Sequence, residues 1–255
     1  MAPSRARGYA KRTGQEPMDA AEYDLMDSAE TTMWWYRALH RRLLRALAGV
    51  TGIVLDAGCG TGGLLARLAA ERPDLQRVGV DLFPSAAKRA RAKSSTPTAC
   101  ASLLRLPFAD ATFDAVLSAD VLCHKSLEPG DALSELARVL KPGGRLVLNL
   151  PAYNWLKSAH DARVHTARRF TAPRLQALLA GAGFTDSRTG YWNSLPLPLM
   201  IAERKLISRD PGAASDVRAF PPLLDGLLFT ATELERMLPI PMPAGGSVFA
   251  TARRA

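Results

Sequence analysis

Apolar positions recur along the chain with two periods. Between Asp19 and Ala48 the spacing is helical. Met33, Trp34, Tyr36, Leu39, Leu43, Leu44 and Leu47 share a rough apolar face, with Arg37, Arg41, Arg42 and Arg45 opposite, and two helices are expected there. From Ile53 onward short apolar runs alternate with helical patterns. Residues 53–56, 77–81, 97–101, 113–118 and 145–150 read as strands, and 61–71, 84–92 and 130–140 as the helices between them. Lys141-Pro-Gly-Gly144 reads as a turn. This alternation predicts an α/β fold whose parallel sheet is covered on both faces. Ligands of such sheets bind at the C-terminal strand ends, near the point where strand order reverses. Beyond Leu150 the pattern loosens into a polar stretch, 151–170. A helix at 172–181 and a strand at 184–192 follow. An apolar, Pro-punctuated stretch, 195–243, holds two helices near 198–208 and 222–238, and Ser247–Arg253 reads as a last strand.

The densest chemical signal lies at the first strand. Ile53-Val-Leu-Asp56 runs through Gly58, Gly60, Gly62 and Gly63 into the apolar positions Leu64, Leu65, Leu68 and Ala69 of a helix. Such a turn is a nucleotide-cofactor site, where a ligand can lie against backbone N–H groups at a helix start. The spacing is G-x-G-x-G with Asp56 two residues ahead, not the G-x-G-x-x-G of dinucleotide binding, and no Lys-Ser/Thr follows as phosphate binding would need. About 20 residues on, Asp81 closes the second strand, where an acid can accept hydrogen bonds from ribose hydroxyls.

Asp56-Ala-Gly-Cys-Gly-Thr-Gly resembles motif I of the class I S-adenosylmethionine (SAM) methyltransferases. The resemblance implies a Rossmann-like sheet, mostly parallel with antiparallel last strands, and SAM as cofactor. It assigns Asp56, Gly58, Cys59, Gly60 and Gly62 to the cofactor loop, Asp81 to the ribose and Leu82 to the adenine face. Ser102 stands where the family usually carries an Asp for the adenine amino group, with the Leu103 backbone beside it. Asp120-Val-Leu-Cys-His124 resembles the family's D-V-L-E-H motif, with Cys123 in place of Glu. By that likeness Asp120 lies near the methionine end and His124 near the methyl group. Tyr153–Phe170 resembles a subgroup of bacterial members with P-A-Y-x-W-L-x-S-x-H-D and H-x-x-R-R-Y/F segments, often associated with polysaccharide or secondary-metabolite pathways.

Physically, the two His, one Asp and two Arg of that segment can shuttle a proton or bind an anion. The candidate catalytic residues are His124, His160, Asp161 and His165, with Asp161 fixing a His tautomer. Tyr153, Trp155, Arg168 and Arg169 are the candidate acceptor contacts. A metal centre on His160, Asp161 and His165 is disfavoured, because their spacing matches no standard ligand motif. The expected organisation is a disordered basic head at 1–15, a helical lid at 16–50, and a cofactor-binding domain at 51–255 with helical cap elements at 151–172 and 193–245.

Charge adds little to this picture. The net charge is +9, but Arg5, Arg7, Lys11 and Arg12 fall in the head and Arg253 and Arg254 in the tail; without these six, 27 bases face 24 acids. No dense basic stripe with aromatics marks a nucleic-acid groove, so nucleic acid is not the expected partner. Three scattered cysteines, Cys59, Cys100 and Cys123, fit a reducing cytoplasm. No apolar run reaches the length of a membrane span. The expected activity is SAM-dependent methyl transfer to oxygen or nitrogen of a small polar or acidic acceptor, and the apolar 195–243 stretch would also suit a lipid-linked one. An RNA-directed enzyme or RNA-binding protein using the basic head is one alternative. A non-catalytic SAM-binding regulator is the other.

Overall fold

The computed structural model describes residues 20–202, 204, 217, 220–238 and 240–255. The expected basic head, the first residues of the lid and the second half of the 198–208 helix lie outside them. Two helices come first, α1 (Ala20–Ala29) and α2 (Trp34–Ala46), as their apolar spacing predicts. The α/β alternation follows as β1 (Ile53–Ala57), α3 (Gly63–Glu71), β2 (Gln76–Asp81), α4 (Pro84–Ser94), β3 (Thr98–Cys100), β4 (Phe113–Ala119), α5 (Pro129–Val139) and β5 (Leu140–Pro151). The later elements are α6 (Ala159–Arg163), α7 (Ala172–Gly181), β6 (Phe184–Trp192), α8 (Leu197–Ala202), α9 (Pro222–Met237) and β7 (Ser247–Arg254).

The seven strands form one sheet in the order β3-β2-β1-β4-β5-β7-β6. The first five are parallel, and β7 inserts antiparallel between β5 and β6. The order reverses between β1 and β4, so the C-terminal ends of these two strands flank the crevice where ligands of such sheets sit. Side-chain alternation divides the core. Leu55, Val116, Leu146 and Leu148 face the layer of α5 and α7, whereas Val54, Ala115, Leu117 and Val147 face α2 and α3.

Two local expectations change. Lys141–Gly144 is not a turn ahead of the strand but a bulge within it. Pairing jumps from Phe113↔Leu140 to Ala115↔Arg145, and the Lys141 ammonium sits 2.8 Å from Asp114 Oδ1. Arg253 and Arg254 are not a solvated tail. They lie in β7, and their guanidinium groups donate to the carbonyls of Gly143 and of Arg138 and Leu140.

The polar 153–170 stretch is an excursion pinned at its base. Phe170 N donates to Pro151 O at 2.8 Å and Tyr153 N to Phe170 O at 2.9 Å. Between these points lie a single 3-10 turn, Asn154–Leu156, and the short α6. Among the described residues no helix is long and apolar enough to cross a membrane.

Candidate active site

The Gly-rich turn follows β1 directly. Gly58 has φ +93°, and a Cβ there would lie 2.2 Å from Val121 Cγ2, so this glycine serves the packing of the turn against the loop after β4. Gly60 also has positive φ (+52°), but its outer side is open except for Met26 Cε of α1, 3.7 Å from a Cβ position. Gly60 is therefore the point of the turn where a ligand can approach bare backbone. The N–H groups are less available than expected. Those of Gly58 and Cys59 donate to Val80 O at 2.8 and 2.9 Å, and that of Gly62 to Cys59 O at 3.0 Å. Gly60 N donates to Asp81 Oδ2 at 2.9 Å. The Cys59 side chain is buried beneath the turn with Leu65 and Ala90, and burial pushes its thiol pKa up. Cys59 thus reaches the crevice only through its backbone.

Three carboxylates gather at these strand ends. Asp81 accepts the N–H groups of Gly60 and Phe83, both at 2.9 Å, and burial still raises its pKa to about 6. Asp56 is buried, its Oδ2 has no hydrogen-bond partner, and burial together with the charges of Asp81 and Glu30 raises its pKa to about 8. Asp120 has φ +56° and a pKa raised by burial to about 7. Asn149 Nδ2 donates to its two oxygens at 3.1 and 3.3 Å, while Trp192 Nε1 donates to Asn149 Oδ1 at 2.7 Å. Trp35 of α2 stacks on Trp192 with ring centroids 6.2 Å apart. A chain of contacts therefore runs from α2 through β6 and β5 to Asp120.

The N-terminal helices lie across this edge. The Tyr23 ring meets Phe83 edge-on at 6.4 Å, and the buried Glu30 packs against the start of α3 at Gly63. Arg89 pairs with Asp24 at 2.6 Å, and Lys93 pairs with Asp27 and Glu30, tying α1 to α4. Tyr36 of α2 is held protonated well above the usual phenol range by burial and by the charges of Glu30, Asp120 and Glu22. Sequence reasoning missed Glu30, which at the end of a helix reads as a solvated acid. It weighed Asn149 only as the start of an N/D-P-P-Y motif, which the strand order and the missing second proline ruled out, and gave it no site role, although a lone amide in the apolar run Leu146–Leu150 was a visible signal.

The residues expected on the acceptor side are redistributed. Asp161 takes Arg169 as its partner where a histidine was expected. Its carboxylate accepts Arg169 Nε at 2.8 Å and Nη2 at 2.7 Å and caps α6 through Ser158 N at 2.7 Å. Arg169 is consumed by this buried pair and is not free to clamp an acid. Arg168 donates to the Leu127 carbonyl. His165 is exposed at φ +56°, and His160 is half-buried on α6. The His124 ring is held by the backbone of His165 and Val164, and burial lowers its pKa. Tyr153 stacks between Trp155 and Tyr191, at 5.6 and 5.1 Å. Farther along the edge, Leu82 is half-buried. Ser102 Oγ accepts Leu104 N at 3.2 Å, and Leu103 is buried in the core.

Residues 55–148, from β1 through most of β5, match the model of a family described as "Methyltransferase domain". Over these residues the chain is similar to a methyltransferase domain, as its motif I resemblance implies. A malonyl-[acyl-carrier protein] O-methyltransferase of Herminiimonas arsenicoxydans is 37% identical over 51% of this chain and 47% of its own length. A demethylmenaquinone methyltransferase of Deinococcus radiodurans is 36% identical over 51% of this chain and 55% of its own. The chain thus spans about half the length of the curated relatives it matches. A Thermotoga maritima protein, described as a SAM-dependent methyltransferase and possible histamine N-methyltransferase, shares the fold with a TM-score of 0.61 at 18% identity, over 97% of this chain and 99% of its own. SAM is the cofactor of this methyltransferase domain. The crevice fits it. An unpartnered buried carboxylate oxygen on Asp56, two further acids and an open glycine suit a ligand that carries a permanent positive charge.

Proposed function

We propose that the chain is an active methyltransferase that methylates oxygen, or nitrogen, of a small polar acceptor held between α2 and the 153–170 excursion. The observation that carries this reading is the acid-lined crevice at the reversal of strand order, with Asp56 left unpartnered. When bound, SAM supplies an electrophilic methyl on a sulfonium. Asp81 would hold the ribose, since each of its oxygens keeps a second lone pair after binding Gly60 and Phe83. Asp56 and Asp120 would face the cationic end. Leu82, Ser102 and Leu103 would border the adenine. The N-terminal helices, acting as a lid, would exclude water and orient the nucleophile in line with the methyl.

His124 is the first candidate base. Burial keeps its imidazole neutral, so one ring nitrogen is an acceptor at pH 7. His160 is the second candidate. An acidic acceptor is less favoured, because the expected Arg169 clamp is neutralised by Asp161. The test is incubation with methyl-labelled SAM and metabolite pools, followed by identification of the labelled product and its methylated atom. His124→Ala should lower turnover by roughly 10²–10⁴-fold while SAM affinity holds. Tight SAM binding without any labelled product would instead make the chain a non-catalytic SAM-binding protein.

A further inference from the structure

Helix α9 is amphipathic in the reverse sense. Its charged side chains point inward. Asp225 accepts the Trp34 N–H at 2.7 Å and pairs with Arg37 at 2.8 Å. Glu233 pairs with Arg41 at 3.0 Å and Arg236 at 2.7 Å, and Glu235 accepts Ser194 N at 2.6 Å. The Arg37 guanidinium also lies 4.1 Å over the Phe229 ring. Outward, Leu223, Leu227, Leu234 and Met237 are 79, 60, 55 and 71% exposed, and Leu238 and Ile240 extend the apolar surface past the helix end. A helix facing water ordinarily shows the opposite arrangement.

We propose that this face joins two copies of the chain, with α9 packing antiparallel against its counterpart about a two-fold axis near Thr230. Three observations favour a second copy. Six large apolar side chains from Leu223 to Ile240 are each 47–79% exposed along one face, a run of neighbours where a monomer's surface usually shows such residues singly. Leu223, Leu227, Thr230, Leu234 and Met237 follow the alternating three- and four-residue steps of a two-helix seam. Reversed, the 4-3-4-3 steps become 3-4-3-4, still the alternation of a two-helix seam, so the face can pack against its own copy about a two-fold axis that sets 223 against 237. The face also carries no charge, so two copies meet without repulsion. An anionic bilayer would call for unpaired cations on the rim, but Arg37, Arg41 and Arg236 are each paired within the fold. Near the centre of the seam, a Cβ at Gly226 would meet nothing within 4 Å, which leaves room for close approach of the helices.

Sedimentation equilibrium of the full chain across the micromolar range is the test. The wild type should be dimeric. Leu227→Glu combined with Leu234→Glu should raise the dimer dissociation constant by roughly 100-fold or more. The circular dichroism spectrum should not change, since both side chains face water in the monomer, and the thermal midpoint should fall only by what dimerisation adds through mass action. Leu223→Lys and Met237→Glu should each weaken the dimer alone and restore it together, because an antiparallel pair sets position 223 against 237 of the other copy. A wild type that stays monomeric, or a dimer indifferent to the double Glu variant, overturns the proposal, as does absence of rescue. Binding of a monomeric wild type to uncharged phosphatidylcholine vesicles, lost in the double Glu variant, would reassign the face to lipid.

Discussion

Gly58 and Gly60 stand two residues apart in one motif, and the structure gives them different work. A methyl group on Gly58 collides with Val121, so Gly58→Ala should destabilise the fold by about 1–3 kcal/mol whether or not ligand is present. A methyl group on Gly60 meets only Met26 Cε at an ordinary 3.7 Å, and there the fold loses only about 1 kcal/mol for the left-handed backbone. Gly60→Ala should therefore stay folded and bind SAM at least ~10-fold more weakly, a contrast that calorimetry and thermal unfolding of the two variants read directly. Asn149 can be tested in the same way. Asn149→Ala leaves the buried Trp192 N–H without its acceptor and Asp120 without its donor. The expected cost is about 1–3 kcal/mol in denaturant unfolding, together with a fall in turnover.

At the scale of elements, the 153–170 excursion, pinned at its base, encloses a buried ion pair. Asp161 and Arg169 are both buried, so either truncated alone abandons a charge in the interior. Asp161→Ala or Arg169→Ala should cost about 3–5 kcal/mol, and the double variant Asp161→Leu with Arg169→Met distinctly less than the sum. Equilibrium unfolding of the three variants measures this; additivity would mean the pair does not act as a unit. The excursion also marks where the sequence stopped being legible. The density of polar residues there was visible, but spacing does not tell which groups satisfy one another, and Asp161 took Arg169 rather than a histidine. The strands were legible because parallel strands buried on both faces read as apolar runs, and the cofactor turn because its glycines are needed for geometry. Glu30 and the reversed face of α9 were hidden for a shared reason. Each depends on which side of a helix meets a partner distant in sequence, and no local pattern records that.

The whole molecule carries the charge arrangement of its crevice as a pH dependence of stability. Burial holds Asp56 at about 8, Asp120 at about 7 and Asp81 at about 6, all well above the ordinary carboxylate range near 3.8. Between those limits the folded chain binds more protons than the unfolded one, so stability falls as pH rises. His40, lowered by burial to about 3, acts in the opposite sense, but only below the ordinary histidine value of 6.5. Above that value the acids dominate, with Asp120 and Asp56 still titrating in the folded state, and toward pH 8.5 the buried thiols of Cys59 and Cys123, which burial also raises, add in the same sense. The thermal midpoint of the ligand-free protein should therefore decline from pH 6.5 to about 8.5, and Asp56→Asn, which has no proton to lose, should flatten the decline. SAM and S-adenosylhomocysteine differ in the permanent sulfonium charge. The ionised carboxylates should favour the former, so the extra midpoint rise from SAM should grow over the same range. Scanning calorimetry at several pH values with each ligand tests both expectations. A flat ligand-free profile, or a decline that survives Asp56→Asn unchanged, would mean that the three carboxylates do not share the buried, cation-seeking crevice assigned to them.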